Sequence, residues 1–377
     1  MSRHLTACWA VSACLGTLAA GAAAQTSGQD LAQAAGQPLL GSRAPRLTVT
    51  TIDGQSIDLG ALYGAKAVYL KFWATWCVPC REQMPHFEHT YETAGQDLVV
   101  IAVNTGFNDS IEDIRAYRRR TGIRMPIVLD DGRLAAAFRL RVTPQHIVIG
   151  RDGRIAYVGH LADARLDRAL LAARAVPAAP APPVAPEPPS AAPGPRLAPG
   201  ARLPERTLQT IDGAPVALFD KAGRQATVLL FFSLWCESYF AGSRPAIAER
   251  CRRLREATHA LESDRRLRWI GIASGLWTTA QDLRDFRDRY PSRMALSLDE
   301  SGDLLRTFGI TQLPAAAIVD GHGRIRRWID AQDGDPAAAL HRAIEQVGIA
   351  EPGPSPAPAG GNPADRQQDD GAQHDGS

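Results

Sequence analysis

Apolar and polar positions along this chain run through one cycle of patterns and then run through it again. A hairpin pattern around Thr51-Ile52-Asp53-Gly54, and again around Thr210-Ile211-Asp212-Gly213, leads into an unbroken apolar run: AVYLKFWA over 67–74 and TVLLFFSL over 227–234. Runs of that length without polar alternation predict a strand covered on both faces. A helix is predicted to begin at the cysteine after each run, Cys77 and Cys236. A second apolar strand follows (97–105; 267–274), then an amphipathic helix (110–122; 278–290), then a short strand and a helix ending at 138–140 or 308–310. Each cycle closes with a strand pair, over 144–159 and 314–329. Strands alternating with helices, with antiparallel strands last, predict an α/β fold built twice around a central mixed sheet flanked by helices.

The cycles also match residue by residue. Gly41/Gly200, Pro45/Pro204, Asp53/Asp212, Trp76/Trp235 and Cys77/Cys236 are all 159 positions apart, so the sequence reads as a tandem duplication. Between the copies, residues 176–199 are Pro/Ala-rich and have no apolar periodicity. They predict an extended linker spanning at most about 70 Å, which lets either domain stand apart or fold back. The expected organisation is therefore a segment 1–24, a flexible N-terminal segment 25–40, a first domain 41–175, the linker 176–199, a second domain 200–350 and a disordered tail 351–377.

Residues 1–24 fit neither cycle. Arg3 and His4 precede an apolar run, and Ala22-Ala23-Ala24 supplies small residues before Gln25, the pattern of a cleaved export signal. Val11-Ser12-Ala13-Cys14 offers a competing lipid-acylation reading. No later segment has the apolar length of a membrane span, so the expectation is an exported, periplasmic protein without a stable span. The 377 residues carry a net charge of only +2, which gives no footing for nucleic acid, and the Arg clusters lie among acids at helical spacing.

Removal of the signal leaves Cys77, Cys80, Cys236 and Cys251, too few for a disulfide framework. Cys77-Val78-Pro79-Cys80 at a strand–helix junction is the arrangement of a reactive dithiol. The first thiol meets unpaired helix N–H groups that favour its thiolate, and the second lies one turn on, within reach of a mixed disulfide. Cys77 is thus the expected nucleophile and Cys80 the resolving thiol. A zinc half-site or a purely structural disulfide are the bland alternatives, and zinc lacks a second closely spaced ligand pair. A peroxidase would need Pro and Thr seven and three residues before the cysteine, where Leu70 and Ala74 stand.

The stretch FWATWCVPC, with its preceding hairpin and the later Thr143-Pro144, resembles the TlpA/ResA/CcmG family of exported thioredoxin-like thiol–disulfide oxidoreductases. The resemblance covers about residues 41–175 and, more weakly, 200–350. It implies two thioredoxin-like domains, a cis-proline loop at Pro144 facing the dithiol, and Pro314 at the matching position of the second domain. It also implies supporting roles for Trp76, Pro79 and Thr143, with no cofactor beyond the redox-active Cys77–Cys80 pair and no metal. Val78-Pro79 resembles the reducing members, which implies reduction of disulfides in periplasmic proteins with electrons from a membrane thiol donor. Lys71 stands where thioredoxin has a buried acid, either as a cation favouring thiolates or as a side chain snorkelling at the sheet edge. Asp109 is a substitute for the family's usual acid. His146, the one candidate for copper handling, reads as a strand-surface histidine.

In the second domain Tyr239 replaces the resolving cysteine. Cys251, placed along the same helix, would lie about 22 Å from Cys236 at 1.5 Å per residue, which predicts an unpaired Cys236 and a Cys251 that is merely a small core residue. Cys236 is then a relic in a domain that aids substrate binding, a holder of mixed disulfides, or a monothiol for a small partner. A non-catalytic binding, chaperone or copper-assembly module with a redox-sensing dithiol is the competing class.

Overall fold

The computed structural model describes residues 28–177 and 196–346. The expected export signal with Cys8 and Cys14, most of the linker and the tail 351–377 lie outside the described residues.

In the first half, residues 28–36 form helix α1, followed by a 3-10 turn at Gln37–Leu39. The hairpin is β1 (Thr48–Thr50) with β2 (Ser56–Asp58), turned through Gly54 at φ +84°, a backbone conformation that glycine adopts without steric cost. After α2 (Leu59–Leu62) comes β3 (Ala67–Trp73), buried at every position as its unbroken apolar run requires. Helices α3 (Val78–Glu82) and α4 (Met84–Glu92) lead to β4 (Leu98–Asn104). Helix α5 (Ile111–Thr121) starts at a Ser110/Asp113 capping box and stops at Gly122, φ +72°. Then come β5 (Ile127–Leu129), α6 (Arg133–Ala137), β6 (Gln145–Ile149), β7 (Ile155–Gly159) and α7 (Ala164–Ala175). The sheet order is β5-β4-β3-β6-β7, with β3, β4 and β5 parallel and β6 antiparallel to both neighbours.

The second half has the same layout: hairpin β8 (Thr207–Gln209) and β9 (Pro215–Ala217), β10 (Ala226–Phe232), α8 (Cys236–Phe240), α9 (Pro245–Leu261), β11 (Leu267–Ser274), α10 (Ala280–Arg289), β12 (Ala295–Asp299), α11 (Asp303–Thr307), β13 (Ala315–Val319), β14 (Ile325–Ile329) and α12 (Pro336–Gln346). Its sheet order, β12-β11-β10-β13-β14, repeats that of the first. The α/β expectation holds for both halves.

Two boundaries differ from expectation. Residues 28–36, expected to be flexible, are helical and docked: Ala32 is fully buried, and Gln29 Oε1 accepts the backbone N–H groups of His160 (2.7 Å) and Leu161 (3.1 Å). At Gly28 a Cβ would come within 2.7 Å of Trp277 and 2.8 Å of His160, so the helix enters where the two halves meet. The end of the linker is likewise anchored. The guanidinium of Arg196 lies 4.1 Å from the Trp328 ring centre and pairs with Asp330, while Trp328 Nε1 donates to Leu197 O.

The halves pack against each other through backbone and apolar contacts. Asn108 N–H donates to Thr311 O (2.9 Å), and Trp277 N–H donates to Arg141 O (2.7 Å). Asn108 and Trp277 each lie two residues before a helix N-cap, and both have positive φ, 53° and 56°. One continuous apolar cluster includes Trp76 and Phe107 from the first half with Phe240 and Leu313 from the second. The halves are thus not independent cores, since part of the apolar surface of each leaves water only against the other.

Candidate active site

The buried strand β3 delivers Trp76 and Cys77 to the N-terminus of α3, where Cys77 is the N-cap. Cys77 and Cys80 form a disulfide with Cα atoms 5.2 Å apart. The Cys80 N–H points at Cys77 Sγ from 3.2 Å, an interaction that grows stronger when the sulfur is a thiolate. Pro79 occupies a first-turn position, where its missing N–H costs no helical bond. Thr143-Pro144 is cis, as expected, and Thr143 O lies 3.3 Å from Cys77 Sγ. Trp76 is fixed by its Nε1–H, which donates to Phe107 O at 2.7 Å. The residues expected at the dithiol therefore do come together.

Lys71 is not at a sheet edge. It lies mid-strand in β3, between β4 and β6, and is fully buried, so snorkelling is ruled out. Its Nζ donates to Cys80 O at 3.5 Å and sits 5.3 Å from the centre of the Phe87 ring. Burial pushes its ammonium from its ordinary value of 10.5 down to about 7. An amine poised there exchanges a proton near neutrality, which the expectation of a permanent cation did not allow.

His146 is also buried rather than on a strand surface, because β6 runs between β3 and β7. Gln83 Nε2 donates to His160 O, which turns its Oε1 toward His146; His146 Nε2–H then donates to it (2.8 Å), and His146 Nδ1 accepts from Tyr69 Oη (2.8 Å). With both ring nitrogens engaged, His146 has no lone pair for copper. Burial holds its pKa well below the usual histidine value and raises that of Tyr69. His160 Nδ1–H donates to Pro144 O at 2.7 Å and fixes the cis-proline loop. Sequence reasoning missed Tyr69, Gln83 and His160. The available signal was an apolar strand carrying polar residues that had to find buried partners.

Asp109 does not serve Cys80. Its buried carboxylate accepts from Thr75 N (2.7 Å), Thr75 Oγ1 (2.6 Å), Asn104 Nδ2 (2.8 Å) and Arg244 Nη2 (2.9 Å). Arg244 belongs to the second half and also donates to Asn108 O, so Asp109 is an anchor between the halves.

The second half departs most from expectation. Cys236 is not a lone thiol, and Cys251 is not out of reach: the two form a disulfide with Cα atoms 6.3 Å apart. The 22 Å estimate assumed one continuous helix, but α8 ends at Phe240, residues 241–244 turn, and α9 starts afresh at Pro245 and brings Cys251 back beside Cys236. Leu313-Pro314 is cis, like its counterpart, and Leu313 N–H donates to Asn108 Oδ1. Tyr239 Oη accepts the Val78 N–H at 2.8 Å. The Trp76 ring lies 5.3 Å from Trp235, 5.3 Å from Phe240 and 5.9 Å from Tyr239. This aromatic roof covers the Cys77–Cys80 pair, which is 1% and 0% exposed, while Val78 between them stays 40% exposed.

A thioredoxin-like protein of Bacillus subtilis, YneN, is 31% identical to this chain over 133 residues, which are 34% of this chain and 78% of that protein. The chain belongs to the thioredoxin-like family. Residues 40–158 match the AhpC/TSA family. The ResA thiol–disulfide oxidoreductase of Halalkalibacterium halodurans is 37% identical over 120 residues, 31% of this chain and 66% of that protein; the ResA of Bacillus subtilis is 32% identical, with 65% of its length matched. The chain thus spans just under two thirds of these two ResA relatives. A crystal structure of a thiol:disulfide interchange protein of the thioredoxin family from Chlorobium tepidum is 27% identical, covering 35% of this chain and 95% of that one, with a TM-score of 0.32. Leu70 and Ala74 stand where a peroxidase of the AhpC/TSA type would need Pro and Thr, and the site here is the Cys77–Cys80 pair.

Proposed function

We propose that this protein is an exported thiol–disulfide oxidoreductase that reduces disulfides of periplasmic proteins. In the reduced form the Cys77 thiolate attacks a substrate disulfide and forms a mixed disulfide, and one substrate cysteine leaves as a thiolate. Cys80, deprotonated next to Lys71, then attacks Cys77 Sγ, frees the second substrate thiol and leaves the Cys77–Cys80 disulfide. Two electrons pass to the substrate, and a thiol donor at the membrane restores them. The observation that carries this reading is the Cys77–Cys80 pair at a strand–helix junction, with the Cys80 N–H aimed at Cys77 Sγ and the cis-proline loop alongside.

Export rests on the pattern of residues 1–24. Among the described residues no helix is long and apolar enough to cross a membrane. The second half, expected to aid substrate binding, occupies the face a substrate needs, so the docked arrangement is a closed state and substrate enters when the halves part. The test is the reduction potential of Cys77–Cys80 measured by thiol trapping. A value near thioredoxin's roughly −270 mV supports a reductase, and one near roughly −120 mV makes the protein an oxidant instead. Cys77→Ser must abolish turnover; if it does not, the dithiol is not the catalyst.

A further inference from the structure

The disulfide in the second half lies beside a cleft. About 310 Å³ of space opens between α9, the end of α10 and the end of β10, with Phe232, Leu254, Phe286 and Met294 along its apolar wall and Cys251 and the cis Pro314 also lining it. Cys251 faces this space, 8% exposed, while its partner Cys236 is 1% exposed on the inner side. Of the two cysteines, Cys251 lines the cleft and Cys236 does not, so an incoming group approaches the bond from the Cys251 side. Cys236 is the first residue of α8, the five-residue helix that carries Tyr239 and Phe240 and follows Trp235, so this bond ties the aromatic roof over Cys77–Cys80 to the long helix α9.

We propose that Cys236–Cys251 is a second redox site, opened by a thiol with an apolar substituent that enters the cleft, and that its opening unlatches the roof over Cys77–Cys80. The entering thiolate attacks Cys251 Sγ. A bond forms between the two sulfurs, the Cys236–Cys251 bond breaks, and the electron pair leaves on Cys236 Sγ, which takes a proton from water. A second thiolate, from the same dithiol or another molecule, attacks the entering sulfur and releases Cys251. The balance is two donor thiols oxidised to a disulfide and one protein disulfide reduced to two thiols. The cleft supplies what such a donor needs: an apolar wall for its carbon substituent and Cys251 in its lining. With the bond open, α8 is held to α9 only by its peptide connection and by noncovalent contacts such as the Glu237–Arg255 ion pair. The closed arrangement loses its covalent brace.

The chemistry of this site stands apart from the role assigned to Cys77–Cys80, and the test keeps the two separate. In the full chain carrying Cys77→Ser and Cys80→Ser, Cys236–Cys251 is exposed to dithiothreitol across a series of sub-denaturing urea concentrations, and the freed thiols are labelled and located by peptide mapping. We expect both cysteines to be labelled at a rate that does not change with urea, because the cleft is open in the folded state. We also expect the monothiol benzyl mercaptan to be found attached to Cys251. A rate that climbs with urea means the bond opens only on unfolding and is purely structural; that result, or an adduct on Cys236, overturns the proposal. For the latch, Cys236→Ser with Cys251→Ser in the otherwise native chain should speed the reduction of Cys77–Cys80 about tenfold by raising the open population. An unchanged rate overturns the coupling, whatever the substrate of Cys77 proves to be.

Discussion

Tyr239 Oη accepts the backbone N–H of Val78, the residue just after Cys77. The side chain that replaces a resolving thiol in one half is thus fastened to the first turn of the dithiol helix in the other. The lack of a Cys80 counterpart in the second half and the occlusion of the site in the first meet in one residue.

Tyr239→Phe removes this hydrogen bond and keeps the ring in the roof. A net loss of about 1 kcal/mol raises the open population roughly fivefold, so dithiothreitol should reduce Cys77–Cys80 about fivefold faster. Stopped-flow reduction with thiol trapping reads the change, and an unaltered rate means the hydroxyl does not hold the halves together.

The Arg244–Asp109 pair is the ionic anchor of the same interface, with the aspartate side chain wholly buried. Arg244→Ala leaves that carboxylate without its cation and should cost about 3 kcal/mol in urea unfolding. Combined with Asp109→Asn in a double-mutant cycle, it should show a coupling energy of at least about 1 kcal/mol. Additive losses would mean that the pair does not act as a unit.

Lys71 makes stability depend on pH. Its folded pKa of about 7 lies below the ordinary 10.5, so between those values the unfolded chain holds a proton that the folded chain has shed. Stability therefore rises with pH across this window, by about 5 kcal/mol, and is lost again as pH falls toward 7. Urea unfolding at pH 7 and pH 9 should show the rise in the native protein, and Lys71→Met should flatten it. On the proposed mechanism the same variant should slow release of the mixed disulfide near neutral pH, because the amine beside the Cys80 backbone carbonyl would no longer be there to take up the thiol proton.

Cys80→Ser removes the thiol proposed to resolve the mixed disulfide while leaving Cys77 in place. Mixed with a disulfide-bonded protein substrate, this variant should accumulate a covalent adduct at Cys77, visible by non-reducing electrophoresis and located by peptide mapping. An adduct elsewhere would displace Cys77 as the nucleophile.

The sheets could be read from the sequence because β3 and β10 are covered on both faces and leave an unbroken apolar signature. The dithiol was legible because its chemistry is local, with Cys77, Pro79 and Cys80 in one turn. Cys236–Cys251 was not, although Gly242, Ser243 and Pro245 do mark a chain break; joining α8 and α9 into one rod turned a short distance into a long one. Lys71 and His146 were misplaced for a different reason. A polar residue in a strand looks the same at an edge as in the middle, and only the strand order β4-β3-β6-β7 shows that neither reaches water. The docking of the halves left one faint mark, the gathering of Trp235, Tyr239, Phe240 and Trp277 on the second half's site face, more aromatic surface than a solvated face would carry.

The aromatic roof also bears on the hours when no substrate is present. A reactive disulfide open to solvent exchanges with stray thiols that reach it. With Trp76 enclosed by Trp235, Tyr239 and Phe240 above buried sulfurs, such encounters end on carbon. The second half thus works as insulation: it keeps the Cys77–Cys80 bond out of idle exchange until something parts the two halves.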